Sequence, residues 1–190
     1  ALAVNLSDLA AAGAIPRAFF LTIGLPVRDD AWLAGFTKGM TELSRQAGCP
    51  LLGGDTTRTA KVGDIHAPVT ISITAMGELP QSMGLTRAGA RPGDDIWVSG
   101  CVGGAWAALM HRWGKLTLDA RVFPSAALAM DRPNPRNALG TALLSSATAC
   151  ADISDGLAQD LGHILERSGV DADVLWDAVP KHPALAALSQ

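Results

Sequence analysis

A chain of 190 residues, 48% apolar and 17% charged, can bury a sizeable core in one domain or two small ones and is not the composition of a disordered protein. The net charge of −3, with no Lys/Arg cluster interleaved with aromatics, gives no electrostatic footprint for nucleic acid, and no run reaches the roughly 18 uninterrupted apolar residues of a membrane span. Cys49, Cys101 and Cys150 are widely spaced and odd in number, so neither a disulfide framework nor a zinc site is indicated; a reducing cytosol is the simplest compartment.

The opening "ALAVNLSDLAAAGAIPRAFFLTIGLPV" is apolar, but it lacks a basic n-region and Asp8 interrupts it, so it does not read as a signal peptide. There is no initiating Met, and the chain is expected to be an internal piece of a longer protein. Within this stretch "VNLSDLAAAGA" reads as a strand end, a cap at Ser7 and a short helix closed by Gly13 and Pro16. "RAFFLTIGLP" has the length and apolar content of a strand. From Asp30, Trp32, Phe36, Met40 and Leu43 recur at helical spacing up to a C-cap at Gly48. "PLLGGDTTR" then reads as a short strand breaking into a Gly-Gly loop, and "APVTISITAMGEL" as an alternating, β-branched strand.

The turn-rich "TRAGARPGDD" is the candidate domain boundary, which divides the chain into residues 1–80 and 81–190. Beyond it "DIWVSG" predicts a strand and "GGAWAALMHRW" a helix with a glycine-rich entry. Residues 114–135 form a loop with a short helix, "RNALGTALLSS" a helix and "ATACADI" a strand. Last, a helix over Gly156–Ser168 places Leu157, Leu161, Ile164 and Leu165 on one face, with Gly169 as its cap. Without strict strand–helix alternation the fold class is α+β rather than doubly wound.

Four constellations could carry chemistry. In "ADISDGLAQDL", Asp152 and Ser154 lie two apart on a strand and face one side, and Asp155 falls near the N-cap of the next helix. Capping alone accounts for Asp155. It does not account for Asp152, whereas a hard cation held by one or two carboxylates and substrate phosphates would offset the repulsion of the pair. In "GGDTTR", glycines permit close approach to a phosphate, Asp55 offers a cation ligand and Arg58 a charged fork; a polar turn with an Asx bond is the plainer reading. Asp8, in a first helical turn, is otherwise only favourable to the helix dipole. Arg87 and Arg91 in "TRAGARPGD" would be solvated loop cations unless a polyphosphate lies near.

The absences narrow the chemistry. No GxxxxGK[ST] or GxSxG occurs, "GCVGGA" lacks the GxGxxG spacing, and His66, His111, His163 and His182 show no metal-binding spacing. Acidic loops without a covalent nucleophile point to metal-assisted phosphate chemistry.

Taken in order, "VNLSDLAAAGA", "GGDTTR", "TRAGARPGD", "ADISDGLAQDLGHI" and "SGV" closely resemble the thiamine-monophosphate kinase family, in the superfamily of aminoimidazole ribonucleotide and selenophosphate synthetases. The resemblance runs from residue 2 to about residue 180, with "TAKVGDIH" resembling a small insertion. It implies a two-domain α+β fold of mixed and antiparallel sheets with flanking helices, both domains incomplete here. It implies a cytoplasmic homodimer whose N-terminal domains share a barrel, and phosphorylation of thiamine monophosphate by ATP. By motif, Asp8, Asp55, Asp152 and Asp155 would bind Mg²⁺, and Gly54, Asp55, Arg87 and Ser154 would meet the nucleotide. No general base or covalent nucleophile is implied. The alternatives are a sister synthetase acting on another acceptor, or a non-catalytic dimerising fragment.

Overall fold

The computed structural model describes residues 1–62, 65–80 and 84–186; Gly63 and Asp64 of the "TAKVGDIH" segment lie outside the described residues. The chain divides into two compact units. One is Ala1–Gly84 with Pro135–Ser146, the other Leu85–Asn134 with Ala147–Gln190. A cut of the sequence at residue 80 differs from this division at 135–146, which return to the first unit.

In the first unit, helix α1 spans Leu2–Ala11. It starts earlier than the sequence suggests, and Ser7 is an interior residue rather than its cap. The reason is the spacing of Leu2, Leu6 and Ala10, all buried, which continues one helical face back past Ser7. Gly13, at φ 73°, ends the helix, and the Ala14 amide donates to the Leu9 carbonyl at 2.9 Å. Helix α5 (Asn137–Leu143) packs on α1. A Cβ at Gly140 would stand 2.0 Å from the Ala10 carbonyl oxygen, so only glycine permits this approach, and the Asn137 side-chain amide donates to the Leu6 carbonyl at 2.8 Å.

Strand β1 (Ile15–Leu25), helix α2 (Asp30–Ala47) and strand β2 (Leu51–Arg58) follow in sequence. Asp29 caps α2 by accepting the Ala31 and Trp32 amides at 3.0 Å each, and Gly48 closes it at φ 61°, as the sequence predicts. Short strands β3 (Lys61–Val62) and β4 (Ile65–His66) pair with each other, and β5 (Thr70–Glu78) returns to the main sheet. The sheet order is β2-β1-β5, with β1 parallel to β2 and antiparallel to β5. Leu2, Leu6, Phe19 and Cys49 form the buried core, flanked by Met40 and Leu43 from α2 and Ile73 and Ala75 from β5.

In the second unit, α3 (Gly104–Arg112) packs against α4 (Phe123–Asp131), with Ala107, Ala108, Leu118, Ala126 and Ala184 buried between them and the short helix α7 (Pro183–Ala186). Arg112 holds Asp131 through two hydrogen bonds, at 2.8 and 2.5 Å. Helix α6 (Leu157–Ser168) completes the unit, with Gly169 capping it at φ 66°. The strands expected at 95–100 and 147–153 do not form ladders. Their apolar and β-branched residues suit a sheet, but a strand needs a neighbour: Trp97 is 87% exposed, and the second segment keeps one backbone bond to the Thr86 stretch, from the Cys150 amide at 2.9 Å.

Candidate active site

The junction 152–156 is a loop built around a residue that does not belong to it. Asp160, one turn into α6, turns its carboxylate back. Its Oδ2 accepts the backbone amides of Ser154, Asp155 and Gly156 at 2.9, 3.1 and 3.1 Å. The helix N-cap is Gly156, with no side-chain capping bond, so the capping role considered for Asp155 is not the one it plays. Ser154 and Asp155 are exposed, and Asp152 is half-buried. Burial first, and the Asp152 charge second, push the Cys150 thiol above its ordinary value, which keeps it an unreactive thiol beside the acidic loop.

The stretch that holds Arg87 is fastened to the same helix and to the approach of the same loop. The Ser168 hydroxyl, at the end of α6, donates to the Arg87 carbonyl at 3.1 Å and accepts the Gly89 and Ala90 amides at 3.2 and 3.1 Å. Gly89, at φ 129°, lets the turn lie on Thr148, where a Cβ would come within 2.4 Å of the carbonyl oxygen. Asp94 accepts the Thr148 hydroxyl at 2.6 Å and the Arg91 amide at 2.9 Å, bonds that hold its carboxyl below the usual carboxylate range. Arg87 itself is exposed. Both ends of α6 therefore organise a loop that bears a candidate residue.

Asp8, Gly54 and Asp55 lie in the first unit. Asp8 lies in the last turn of α1, not the first, because the helix begins at Leu2. A carboxylate there faces the negative end of the dipole, which disfavours it by about 0.3–1 kcal/mol, so dipole complementation cannot be why it is present. "GGDTTR" is neither a loop nor an Asx turn. It is strand, because β1 offers a continuous register: Phe20 opposite Gly53, Leu21 opposite Gly54, Thr22 opposite Asp55. Asp55 is exposed, on the sheet face opposite the one that buries Phe19. Gly54 has a structural reason of its own. At φ 154° its Cβ would fall 1.7 Å from the Leu21 carbonyl oxygen.

Among the described residues no three His, Cys, Asp or Glu side chains converge into a ready-made metal cage. Exposed carboxylates on short, braced segments nonetheless suit Mg²⁺, which keeps several waters and takes one or two carboxylates together with substrate phosphates. The donor set, all carboxylate and hydroxyl, is the hard-oxygen kind this ion selects. Sequence reasoning missed Asp160. Its only signal was an acidic residue six positions after Ser154, which reads equally well as a first-turn dipole partner.

Comparison with known proteins bears on the family and the fold. Residues 1–79 match the family AIR synthase related protein, N-terminal domain. The fold is accordingly the AIR synthase-like α+β fold, with a small mixed sheet and flanking helices. Over 189 residues the chain is 41% identical to the thiamine-monophosphate kinase of Salmonella typhimurium, an alignment that takes in 97% of this chain and 55% of that protein. The crystal structure of thiamine-monophosphate kinase from Stenotrophomonas maltophilia K279a superposes with a TM-score of 0.88 at 43% identity, over 98% of this chain and 58% of that one. AaThiL complexed with AMPPCP and TMP superposes with a TM-score of 0.86 at 28% identity, again over 98% and 58%. The chain is a relative of the thiamine-monophosphate kinases and spans about half the length of the curated relatives it matches.

Proposed function

We propose that this chain carries the ATP- and metal-binding part of an enzyme that phosphorylates thiamine monophosphate to thiamine diphosphate, a cytoplasmic homodimer dependent on Mg²⁺. The observation that carries the reading is the 152–156 loop, whose amides turn inward to Asp160 while Ser154 and Asp155 are exposed. The relatives named as thiamine-monophosphate kinases, and the one complexed with AMPPCP and TMP, support the choice of donor and acceptor.

Asp8, Asp55, Asp152 and Asp155 would hold the cations. Gly54, Asp55, Ser154 and Arg87 would contact the nucleotide, the arginine as a fixed positive charge. Bound Mg²⁺ supplies charge neutralisation and orientation of the phosphates. The acceptor oxygen belongs to a phosphate already anionic near neutral pH, so no side chain has to remove a proton. A bond forms from that oxygen to the γ-phosphorus, the bond to the β,γ-bridging oxygen breaks, and ADP leaves. What remains for the protein is positioning two polyanions, the main demand of phosphoryl transfer.

The homodimer is supported by the open face of the sheet, where Phe20 and Met76 are 40% and 43% exposed. Chromatographic measurement of products from ATP, Mg²⁺ and thiamine monophosphate tests the function. ADP and thiamine diphosphate in equal amounts are expected. A folded, ATP-binding protein that makes neither would overturn the acceptor assignment and favour a sister synthetase or a non-catalytic role.

A further inference from the structure

We infer that Asp160 is a positioning residue, whose buried carboxylate sets the backbone of 154–156 so that Ser154 and Asp155 present their side chains to a divalent cation and its nucleotide. The inference rests on the reading of that loop as metal-binding.

Asp160 is 5% exposed, the only buried charged side chain among the described residues. Burying a carboxylate is costly unless its lone pairs are used, and here one oxygen takes three amides at 2.9 to 3.1 Å at the positive end of a twelve-residue helix. Three consecutive amides reach one oxygen only if their peptide planes turn inward together. Gly156 permits the last of these, at φ 120° and ψ 148°, a conformation that side-chain-bearing residues rarely adopt. No atom would obstruct a Cβ there, so glycine is required by backbone conformation alone.

This arrangement has a chemical consequence. In a phosphate cradle, inward amides at a helix N-terminus bind the ligand directly. At 154–156 a carboxylate of the protein already occupies that position, so these three amides offer a phosphate nothing. The loop presents carboxylates instead, and these can engage a polyphosphate only through cations, leaving the exposed Ser154 side chain as the loop's neutral contact. Asp160 thus converts a potential anion site into the scaffold of a cation site.

The test compares Asp160→Ala, Asp160→Asn, Gly156→Ala and Asp155→Asn in the protein. Mn²⁺ affinity is read by electron paramagnetic resonance, amide exchange at 154–156 by NMR, and folding by thermal unfolding. Asp160→Ala is expected to melt cooperatively, to lose protection of the three amides, and to bind Mn²⁺ about tenfold more weakly or worse, the scale for removing an outer-shell partner. Asp160→Asn keeps an acceptor oxygen in place and should recover most of that affinity, which a general loss of packing would not predict. A folded Asp160→Ala with wild-type Mn²⁺ affinity overturns the inference, provided Asp155→Asn weakens binding. If Asp155→Asn itself leaves binding unchanged, the metal reading of the loop fails, and the inference with it. Should Asp160→Ala not fold, Gly156→Ala decides: weaker Mn²⁺ binding supports the inference and unchanged binding overturns it.

Discussion

Single residues carry two kinds of constraint here, and the same motif can hold both. Gly54 was read from the sequence as a place where backbone meets phosphate. Its position opposite Leu21 shows that the strand itself demands glycine, whatever binds there. Gly54→Ala is therefore expected to lower stability by roughly 2 kcal/mol or more, through a strained backbone and a blocked strand contact. Urea unfolding measures this, and an unchanged midpoint would contradict it. The acidic pair stood out in "DISDG" because helix capping would explain Asp155 and leave Asp152 unexplained. Asp160 was not legible, since its partners are backbone amides, which leave no trace in side-chain identity. Ser7 misled for a related reason: a capping residue is recognisable only when the helix begins beside it, and the buried Leu2–Leu6 spacing starts the helix earlier.

Helix α6 is the element that connects sequence pattern to site. Its limits and its Gly169 cap were readable from periodicity, because a helix ending in a left-handed glycine is a local event. Its use as a brace was not, because the contacts of Asp160 and Ser168 are long-range or depend on the loop conformation. Ser168→Ala should leave α6 intact but release the Arg87 carbonyl and the Gly89 and Ala90 amides. The expected effect is a rise of roughly fivefold in the apparent KM for ATP, the equivalent of about 1 kcal/mol for one tether, with little change in the KM for thiamine monophosphate. Equal changes in both would separate Ser168 from the nucleotide side.

The same loop carries a pH signature. Thr148 first, and the Arg91 amide next, lower the Asp94 carboxyl in the folded chain, so its stabilising contribution is complete above the ordinary carboxylate value of about 4 and disappears as pH falls through the lowered one. Asp94→Asn should remove that part of the acid sensitivity. An acid titration followed at the Arg91 amide checks it, and identical curves for the two proteins would contradict the assignment. The expected strands at 95–100 and 147–153 failed at this scale too, because ladder formation depends on partners that a local pattern cannot supply.

At the scale of the molecule, the fold class was legible because alternation in β5 and helical spacing in α2 and α6 are strong, while the return of α5 to α1 was not. That return depends on a close approach at Gly140 to a helix more than a hundred residues earlier. The proposed dimerisation through the open sheet face makes its own prediction. Phe20→Glu would place a charge in the middle of that face and should shift the protein to monomer in sedimentation, without unfolding it, since Phe20 is already 40% exposed. A dimer of unchanged affinity would move the interface elsewhere.

The most direct measurement is the rate of thiamine diphosphate formation as a function of Mg²⁺ concentration, for the wild-type protein and for Asp155→Asn. Expected is Mg²⁺-dependent turnover in the wild type, with a fall of about 100-fold or more in the variant at equal Mg²⁺, as befits loss of a cation ligand. Superimposable curves from the two proteins would remove the acidic loop from the chemistry, and with it the mechanism proposed for this chain.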